Sequence, residues 1–176
     1  MKQLALILCL SLACLSAAAG DTDLGAVSSR KVDLEAVVEL GIVSPVDGVT
    51  TAGQPDEAGF QVFAEVGYAA VIDLRTEGED RGLDEPAAVE AMGMDYINLP
   101  IGRDGISFAN AKALKGLIDG YDEPVLVHCG SANRVGALFA LSAFRETGDI
   151  EIALEAGRAA GLTRMEPTVK KVLEEE

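Results

Sequence analysis

Cys129 and Arg134 are the two residues of this 176-residue chain whose types and spacing best fit a chemical role. They begin and end a six-residue segment, the Cys–Arg loop (residues 129–134), between a short apolar run and a strongly apolar helical segment. A loop that connects a strand to a helix N-terminus directs several backbone N–H groups at one point, which makes an anion site. Cysteine reacts as the thiolate, which helix N-termini and nearby cations stabilise, and arginine grips tetrahedral oxyanions bidentately. The pattern therefore predicts thiolate attack on an anionic group held by Arg134 and the loop amides.

The N-terminal residues are typical of a secretory signal. Lys2 precedes an uncharged run from 4 to 15, and small residues follow as far as Gly20. The apolar run is too short to span a bilayer, so we expect no integral membrane span. We predict a signal peptide over 1–19 and export to the periplasm or the exterior. The alternative is a lipoprotein anchored at Cys14, although the residues before Cys14 match such a site poorly.

Removal of 1–19 leaves Cys129 as the only cysteine and His128 as the only histidine. The exported protein then has no internal disulfide, and no second Cys or His to complete a zinc site, so we predict no metal and no cofactor. A lone cysteine is most often a small buried hydrophobe. Its position beside His128 and its spacing to Arg134 favour a nucleophile instead.

The charge balance limits the classes of partner. The formal net charge is −15 at pH 7, with acidic residues spread along the chain. Such a field repels nucleic acid and anionic membrane surfaces at long range. We predict no nucleic-acid partner, and a phosphorylated substrate would have to be held locally by the Cys–Arg loop. The sequence leaves the oligomeric state open.

Strand and helix patterns alternate through most of the chain. The predicted strands cover 49–52, 68–74, 96–99 and a run that starts at 125. The predicted helices cover 33–40, the region of Phe60 to Val66, 85–92, 108–118, 134–146, 150–159 and 167–175. Short connections between alternating elements predict an α/β sandwich with a small, mostly parallel sheet and right-handed crossovers. We assign a single domain to 48–176 and treat 20–47 as an N-terminal leader.

Five segments together resemble a known family. They are 51–55 (TAGQP), 71–75 (VIDLR), 93–100 (GMDYINLP), 128–141 (HCGSANRVGALFAL) and 157–163 (GRAAGLT). In this order they are similar to the bacterial beta-lactamase-hydrolase-like phosphatase domain, a short-loop branch of the cysteine-dependent protein tyrosine and dual-specificity phosphatases. The resemblance covers about 49–163. It implies a three-layer phosphatase fold and a phosphate-binding loop of Cys, four residues and Arg, one residue shorter than the usual phosphatase loop.

The resemblance also implies roles for individual residues. Cys129 would attack phosphorus, Arg134 and the loop amides would hold the oxygens, and water would hydrolyse the thiophosphate. Asp104 is our candidate for the general acid, because it follows the third predicted strand and lies among glycines; the alternative is an exposed loop carboxylate. The expected substrate-binding residues are His128, Gly130, Ser131, Ala132, Asn133, Val135 and, more weakly, Arg75.

Two residues depart from the family pattern. Many relatives have glycine in the middle of the loop, whereas this chain has Ala132, which would be strained if its φ is positive. Phosphatases commonly have a hydroxyl residue directly after the arginine, which helps the sulfur to leave. Val135 has no hydroxyl, so we expect slow turnover of the thiophosphate.

Two other functions remain open from the sequence. Rhodanese-type sulfurtransferases also use a six-residue loop that begins with cysteine, and 72–76 resembles their upstream strand. They normally carry a Gly-His pair before the loop, which this chain lacks. The third possibility is a non-catalytic domain that binds anions.

Overall fold

The computed structural model describes residues 29–41 and 49–176. The elements are β1 (Ser29–Lys31), α1 (Leu34–Leu40), β2 (Val49–Ala52), α2 (Glu57–Glu65), β3 (Ala70–Asp73), α3 (Glu85–Ala91), β4 (Asp95–Asn98), α4 (Phe108–Ile118), β5 (Val125–His128), α5 (Asn133–Thr147), α6 (Ile150–Ala159) and α7 (Glu166–Glu174). The predicted signal peptide and the alternative anchor at Cys14 lie outside the described residues. Within these residues, every helix is too short or too polar to cross a membrane.

The five strands form one parallel sheet in the order β1-β2-β5-β3-β4. The predicted parallel α/β architecture is therefore confirmed. β5 is the central strand, and its last residue, His128, pairs with Ala52 of β2 and Asp73 of β3. The carboxyl ends of three strands thus meet where the Cys–Arg loop begins, which is where parallel sheets place their sites.

Helices cover both faces of the sheet, because the side chains of each buried strand alternate between two cores. Val125 and Val127 of β5 pack into one core with α4, α5, α6 and α7. Leu126 packs into the other core with α1, α2 and α3. This arrangement is the predicted three-layer sandwich.

The strand β1 was not predicted from the sequence pattern. This strand lies in the segment that we described as a leader, and it pairs in parallel with β2, so that Lys31 stands beside Thr51. A strand of three residues is too short to show a period-2 pattern. The helix predicted over 33–40 is confirmed as α1, with Asp33 as its N-cap. The sheet therefore recruits residues that precede the predicted start of the domain at 48.

Two glycines let α5 and α6 cross at close range. A Cβ atom on Gly136 would lie 2.2 Å from the backbone nitrogen of Leu162 and 2.6 Å from the carbonyl oxygen of Gly157. A Cβ atom on Gly157 would lie 2.8 Å from the Cβ of Ala140. Only glycine fits at either position, because backbone stands where a side chain would begin. The crossing fixes the turn after α6 against the first turn of α5.

Candidate active site

The Cys–Arg loop connects the central strand β5 to the N-terminus of α5. Cys129 is buried, with 1% of its surface exposed, and its backbone nitrogen donates to the carbonyl oxygen of Ala52 at 3.4 Å. A β-bridge between Gly53 and Ser131 ties the loop to the turn after β2. Among the described residues, no side chain caps the N-terminus of α5. Its first amides therefore remain available to an anion beside the thiol.

Ala132 has φ 61° and ψ −4°, and it is the only non-glycine residue with positive φ in the described part of the chain. The strain anticipated at this position is therefore present, at a cost of roughly 1–2 kcal/mol for a residue with a Cβ. The methyl group fits because its neighbour is Gly161, where a Cβ would lie 2.5 Å from that of Ala132. Gly161 itself has φ +105°, which also favours glycine.

The guanidinium of Arg134 is held on its outer edge by Glu79. Its two terminal nitrogens donate to the two carboxylate oxygens of Glu79, each at 2.6 Å. Nη1 also donates to the carbonyl oxygen of Ile101 at 3.0 Å. The hydrogen bonds from Arg134 lower the pKa of Glu79 to about 2. The pKa of Arg134 is raised, chiefly by its hydrogen bonds to Glu79 and further by its closeness to Cys129. The guanidinium thus stands between a fixed carboxylate and the thiol.

Glu79 is a functional candidate that the sequence analysis missed. It lies in a loop with several other charged residues, and no sequence pattern distinguishes it from them. The structure fixes its carboxylate locally, because Oε1 accepts from the backbone nitrogen of Thr76 at 2.9 Å and from its hydroxyl at 3.1 Å. Glu79 therefore positions Arg134 rather than contacting a substrate.

His128 lies fully buried under the loop. Its Nε2 is 2.7 Å from Oε1 of Glu85, and Nδ1 has no hydrogen-bond partner among the described residues. The second oxygen of Glu85 accepts from Nε2 of Gln54 at 2.7 Å. The ring of Phe60 packs against the imidazole edge. In this conformation His128 supports the loop from below instead of reaching a ligand.

A buried carboxylate, Asp73, completes the polar layer beside His128. Its Oδ2 accepts from Nε of Arg81 at 2.7 Å and from the hydroxyl of Tyr96 at 2.9 Å. Asp73, Glu85 and His128 each offer a ligand atom within 4.8 Å of the others, which is the spacing of a metal site. Nη2 of Arg81 already lies 2.6 Å from Asp73, and its Nε lies 3.9 Å from Glu85. The guanidinium supplies the positive charge that a metal would provide.

Arg75, which we expected either as scaffold or on the rim of the site and only weakly as a substrate-binding residue, is buried. Its terminal nitrogens donate to the side chain of Gln54 and to the carbonyl of Asp80, and its Nε lies 3.5 Å from Oε2 of Glu79. Arg75 therefore places a second guanidinium beside the Glu79 carboxylate that holds Arg134.

Asp104, the predicted general acid, is exposed on the loop after β4. The loop starts at the buried Ile101, whose carbonyl accepts from Arg134, and it tightens where the nitrogen of Gly105 donates to the carbonyl of Gly102 at 3.1 Å. Asp104 thus belongs to a turn that begins beside the guanidinium. Its role as the acid stays a prediction.

The other residues of the loop region divide into outward-facing and inward-facing positions. Gly130 and Ser131 are exposed. Oδ1 of Asn133 accepts from the backbone nitrogens of Thr163 at 2.9 Å and Met165 at 3.3 Å. The side chain of Val135 is fully buried in the core. The side chains of Asn133 and Val135 therefore shape the loop from the inside. At these two positions only the backbone can face an anion.

The chain resembles known proteins in sequence and in structure. The family model described as "Beta-lactamase hydrolase-like protein, phosphatase-like domain" matches residues 42–145. A beta-lactamase hydrolase-like protein of Xylella fastidiosa is 36% identical over 107 residues, which are 58% of this chain and 25% of the relative. Its counterpart in Agrobacterium fabrum is 32% identical over 97 residues, 53% of this chain and 22% of the relative. The chain thus spans about a quarter of the length of the curated relatives it matches.

Solved structures share the fold. A candidate phosphatase of Neisseria meningitidis, nma1982, superposes with a TM-score of 0.60 at 20% identity, over 69% of this chain and 89% of that one. TpbA of P. aeruginosa superposes with a TM-score of 0.56 at 18% identity, over 70% and 77%. A second TpbA structure, with a TM-score of 0.53 at 19% identity over 69% and 75%, contains phosphotyrosine. At these identities the likeness establishes the fold.

Proposed function

The chain belongs to the beta-lactamase hydrolase-like phosphatase family, and we propose that it hydrolyses phosphoesters through a thiophosphate intermediate on Cys129. The observation that carries the proposal is the position of Arg134. Its guanidinium lies between Glu79 and the thiol, at the end of a loop that leads into an uncapped helix N-terminus. A phosphoryl group on this loop would meet a cation, backbone amides and a nucleophile together.

The first chemical step is attack of the Cys129 thiolate on phosphorus. An S–P bond forms as the P–O bond to the leaving group breaks, and the leaving oxygen takes a proton from the carboxyl of Asp104. The equatorial oxygens accept hydrogen bonds from Arg134 and the loop amides. Because Nη1 donates to Glu79 and Ile101 and Nη2 donates once to Glu79, the N–H of Nε and the second N–H of Nη2 are left for the phosphate.

The second step is hydrolysis of the thiophosphate. Water attacks phosphorus, the S–P bond breaks, and the carboxylate of Asp104 accepts the proton of the water. The departing thiolate meets no hydroxyl at position 135, since that residue is a buried valine. We therefore expect the second step to limit turnover and the phosphoenzyme to accumulate, which gives a burst of product in the first turnover.

The proposed substrates are phosphomonoesters whose leaving group lies outside the loop, such as phosphotyrosine, phosphoserine or a small phosphoester. The phosphotyrosine bound by TpbA, which shares the fold, supports the inclusion of aryl phosphates. Gly130 and Ser131 are exposed, so the entrance admits an ester group on a larger molecule.

The test is hydrolysis of p-nitrophenyl phosphate by the purified protein and matched variants. Cys129→Ser should abolish hydrolysis, and Arg134→Lys should lower kcat/KM by about 100-fold, because an ammonium lacks the bidentate fork. Arg145→Lys is the control, since Arg145 lies on the same helix with a largely exposed side chain. Rapid mixing should show the burst, and intact-mass analysis should find one phosphoryl group on the protein and none on Cys129→Ser.

A second arm distinguishes the alternatives. Vanadate should protect Cys129 from alkylation, since it mimics the phosphoryl transition state. Absence of hydrolysis together with absence of vanadate protection would overturn the proposal. Transfer of sulfur from thiosulfate to cyanide by the same preparation would instead identify a sulfurtransferase.

A further inference from the structure

A recess of about 470 Å³ adjoins the Cys–Arg loop on the side of β1. The turn from β1 into α1 forms one wall, and the turn after β2 and the loop itself form the other. Its lining residues are Lys31, Val32, Asp33, Leu34, Gly53 and Ser131. Ser131 belongs to the loop, so a leaving group that projects from a bound phosphoryl group can enter this recess.

Lys31 runs along the edge of the loop. A Cβ on Gly161 would lie 3.1 Å from Cδ of Lys31 and 2.5 Å from Cβ of Ala132. The lysine stem and the strained loop residue therefore flank the same glycine. Because residue 161 is glycine, the aliphatic part of the Lys31 side chain can pass beside it.

The charge of Lys31 has no partner in the described part of the chain. Lys31 is exposed and takes part in none of the ion pairs found there. The other charged residue of the recess, Asp33, caps α1, where its Oδ1 accepts from the backbone nitrogen of Glu35 at 3.0 Å. A carboxylate in that position is committed to the positive end of its helix. Lys31 is thus the group left to bind a ligand.

The composition of the recess indicates the kind of group that it accepts. None of the described residues that line it is aromatic, so these residues offer no surface on which a ring could stack. An ammonium is a compact, strongly hydrated charge on a flexible stem, and it attracts carboxylates and phosphates. The chain carries a net charge of −15, so a cation beside the loop without an ion-pair partner in residues 29–41 and 49–176 gives a local positive potential that the rest of the chain opposes.

We propose that this recess is a leaving-group subsite in which Lys31 binds a second anionic group of the substrate, close to the scissile phosphoester. The inference rests on the proposed function and deepens it. The substrate class is a phosphomonoester whose leaving group carries its own negative charge. Carboxylates and phosphates both fit, and separate arms of the test distinguish them.

The test compares three phosphotyrosine peptides that differ at one position next to the phosphotyrosine: glutamine, glutamate or phosphothreonine. The wild type should prefer the two charged peptides to the glutamine peptide, as measured by kcat/KM for removal of the phosphate from tyrosine, which the absorbance of the freed tyrosine follows separately from any hydrolysis of phosphothreonine. Lys31→Gln should reduce that preference by up to about fivefold, the size of an exposed ion pair, and Lys31→Glu should reverse it. Lys31→Arg should retain it, and added salt should weaken it in the wild type.

Lys112→Gln is the control, because Lys112 is an exposed lysine on α4 and does not line this recess. An equal kcat/KM for all three wild-type peptides, or an unchanged preference in Lys31→Gln, would overturn the subsite while hydrolysis upheld the proposed function. If no peptide is hydrolysed, the proposed function fails, and calorimetric titration of Cys129→Ser protein with the same peptides decides the subsite. A preference for charged peptides that Lys31→Gln removes would support it, and equal binding would reject it.

Discussion

The ion pair between Glu79 and Arg134 makes a quantitative prediction about stability. Its two hydrogen bonds of 2.6 Å lower the pKa of Glu79 from 4.5 to about 2. A shift of this size corresponds to an upper limit of about 3 kcal/mol in the free energy of unfolding. The side chain of Glu79 is 31% exposed, so solvent screens the pair and we expect about 1–2 kcal/mol. Glu79→Gln should therefore cost about that much at neutral pH.

The sign of the pH dependence follows from the direction of the shift. The pKa of Glu79 is lower in the folded protein than in the unfolded chain. Its contribution to the free energy of unfolding is therefore complete above pH 4.5 and is lost as the pH falls towards about 2. Urea denaturation of the wild type and Glu79→Gln between about pH 7 and pH 3 should show the difference narrowing with acid. Glu90→Gln is the control, because Glu90 is exposed and has no ion pair among the described residues. The reasoning would be refuted if wild type and Glu79→Gln differed in their free energy of unfolding by the same amount at about pH 7 and at about pH 3. It would also be refuted if that difference were no larger than the one for Glu90→Gln.

The same substitution should also lower activity. Without the carboxylate, the guanidinium of Arg134 loses the partner that fixes its outer edge, and misplacement by about 1 Å can reduce a rate roughly 100-fold. We expect Glu79→Gln to lower kcat/KM for p-nitrophenyl phosphate by about 10- to 100-fold. Activity equal to that of Glu90→Gln would show that Arg134 needs no such support.

Three further predictions concern the residues that pack around the loop. Gly161→Ala should lower the free energy of unfolding by about 2–4 kcal/mol, because the new methyl would lie 2.5 Å from that of Ala132. In a double-mutant cycle, Ala132→Gly should recover at least about 1 kcal/mol of this loss. Additive effects of the two substitutions would argue against the contact. Asn133→Ala removes the acceptor of two backbone N–H groups and should cost about 1–3 kcal/mol by urea denaturation, whereas a loss below about 0.5 kcal/mol would contradict a bracing role. Glu85→Ala should lower the free energy of unfolding by about 3 kcal/mol or more, because it removes the carboxylate that pairs with the buried imidazole of His128. An unchanged midpoint of urea denaturation would contradict this.

The sequence predicted the features that depend on local pattern. The short apolar strand, the Cys–Arg loop and the apolar helix are contiguous, so their order and chemistry follow from residue types alone. The strain at Ala132 was anticipated because alanine stands where relatives have glycine, and its positive φ confirms the interpretation.

The features that the sequence missed depend on partners far along the chain. The sequence left Arg75 as either scaffold or rim, and its burial depends on hydrogen bonds to Gln54 and Asp80 from two different turns. Glu79 becomes the partner of Arg134 across 55 positions, and the loop that carries it contains other acidic residues with the same local appearance. Only the folded structure shows which of these acidic residues pairs with Arg134.

The contact between Asn133 and the turn after α6 has a consequence for the order of events during synthesis. The Cys–Arg loop is braced by the amides of Thr163 and Met165, which emerge from the ribosome about 30 residues after the loop itself. The family match ends at 145, so a fragment cut there would contain Cys129 and Arg134 but not the residues that shape the backbone between them. Cys129 is thus synthesised before the residues that brace its loop, and these two contacts can form only after residue 165 has emerged from the ribosome.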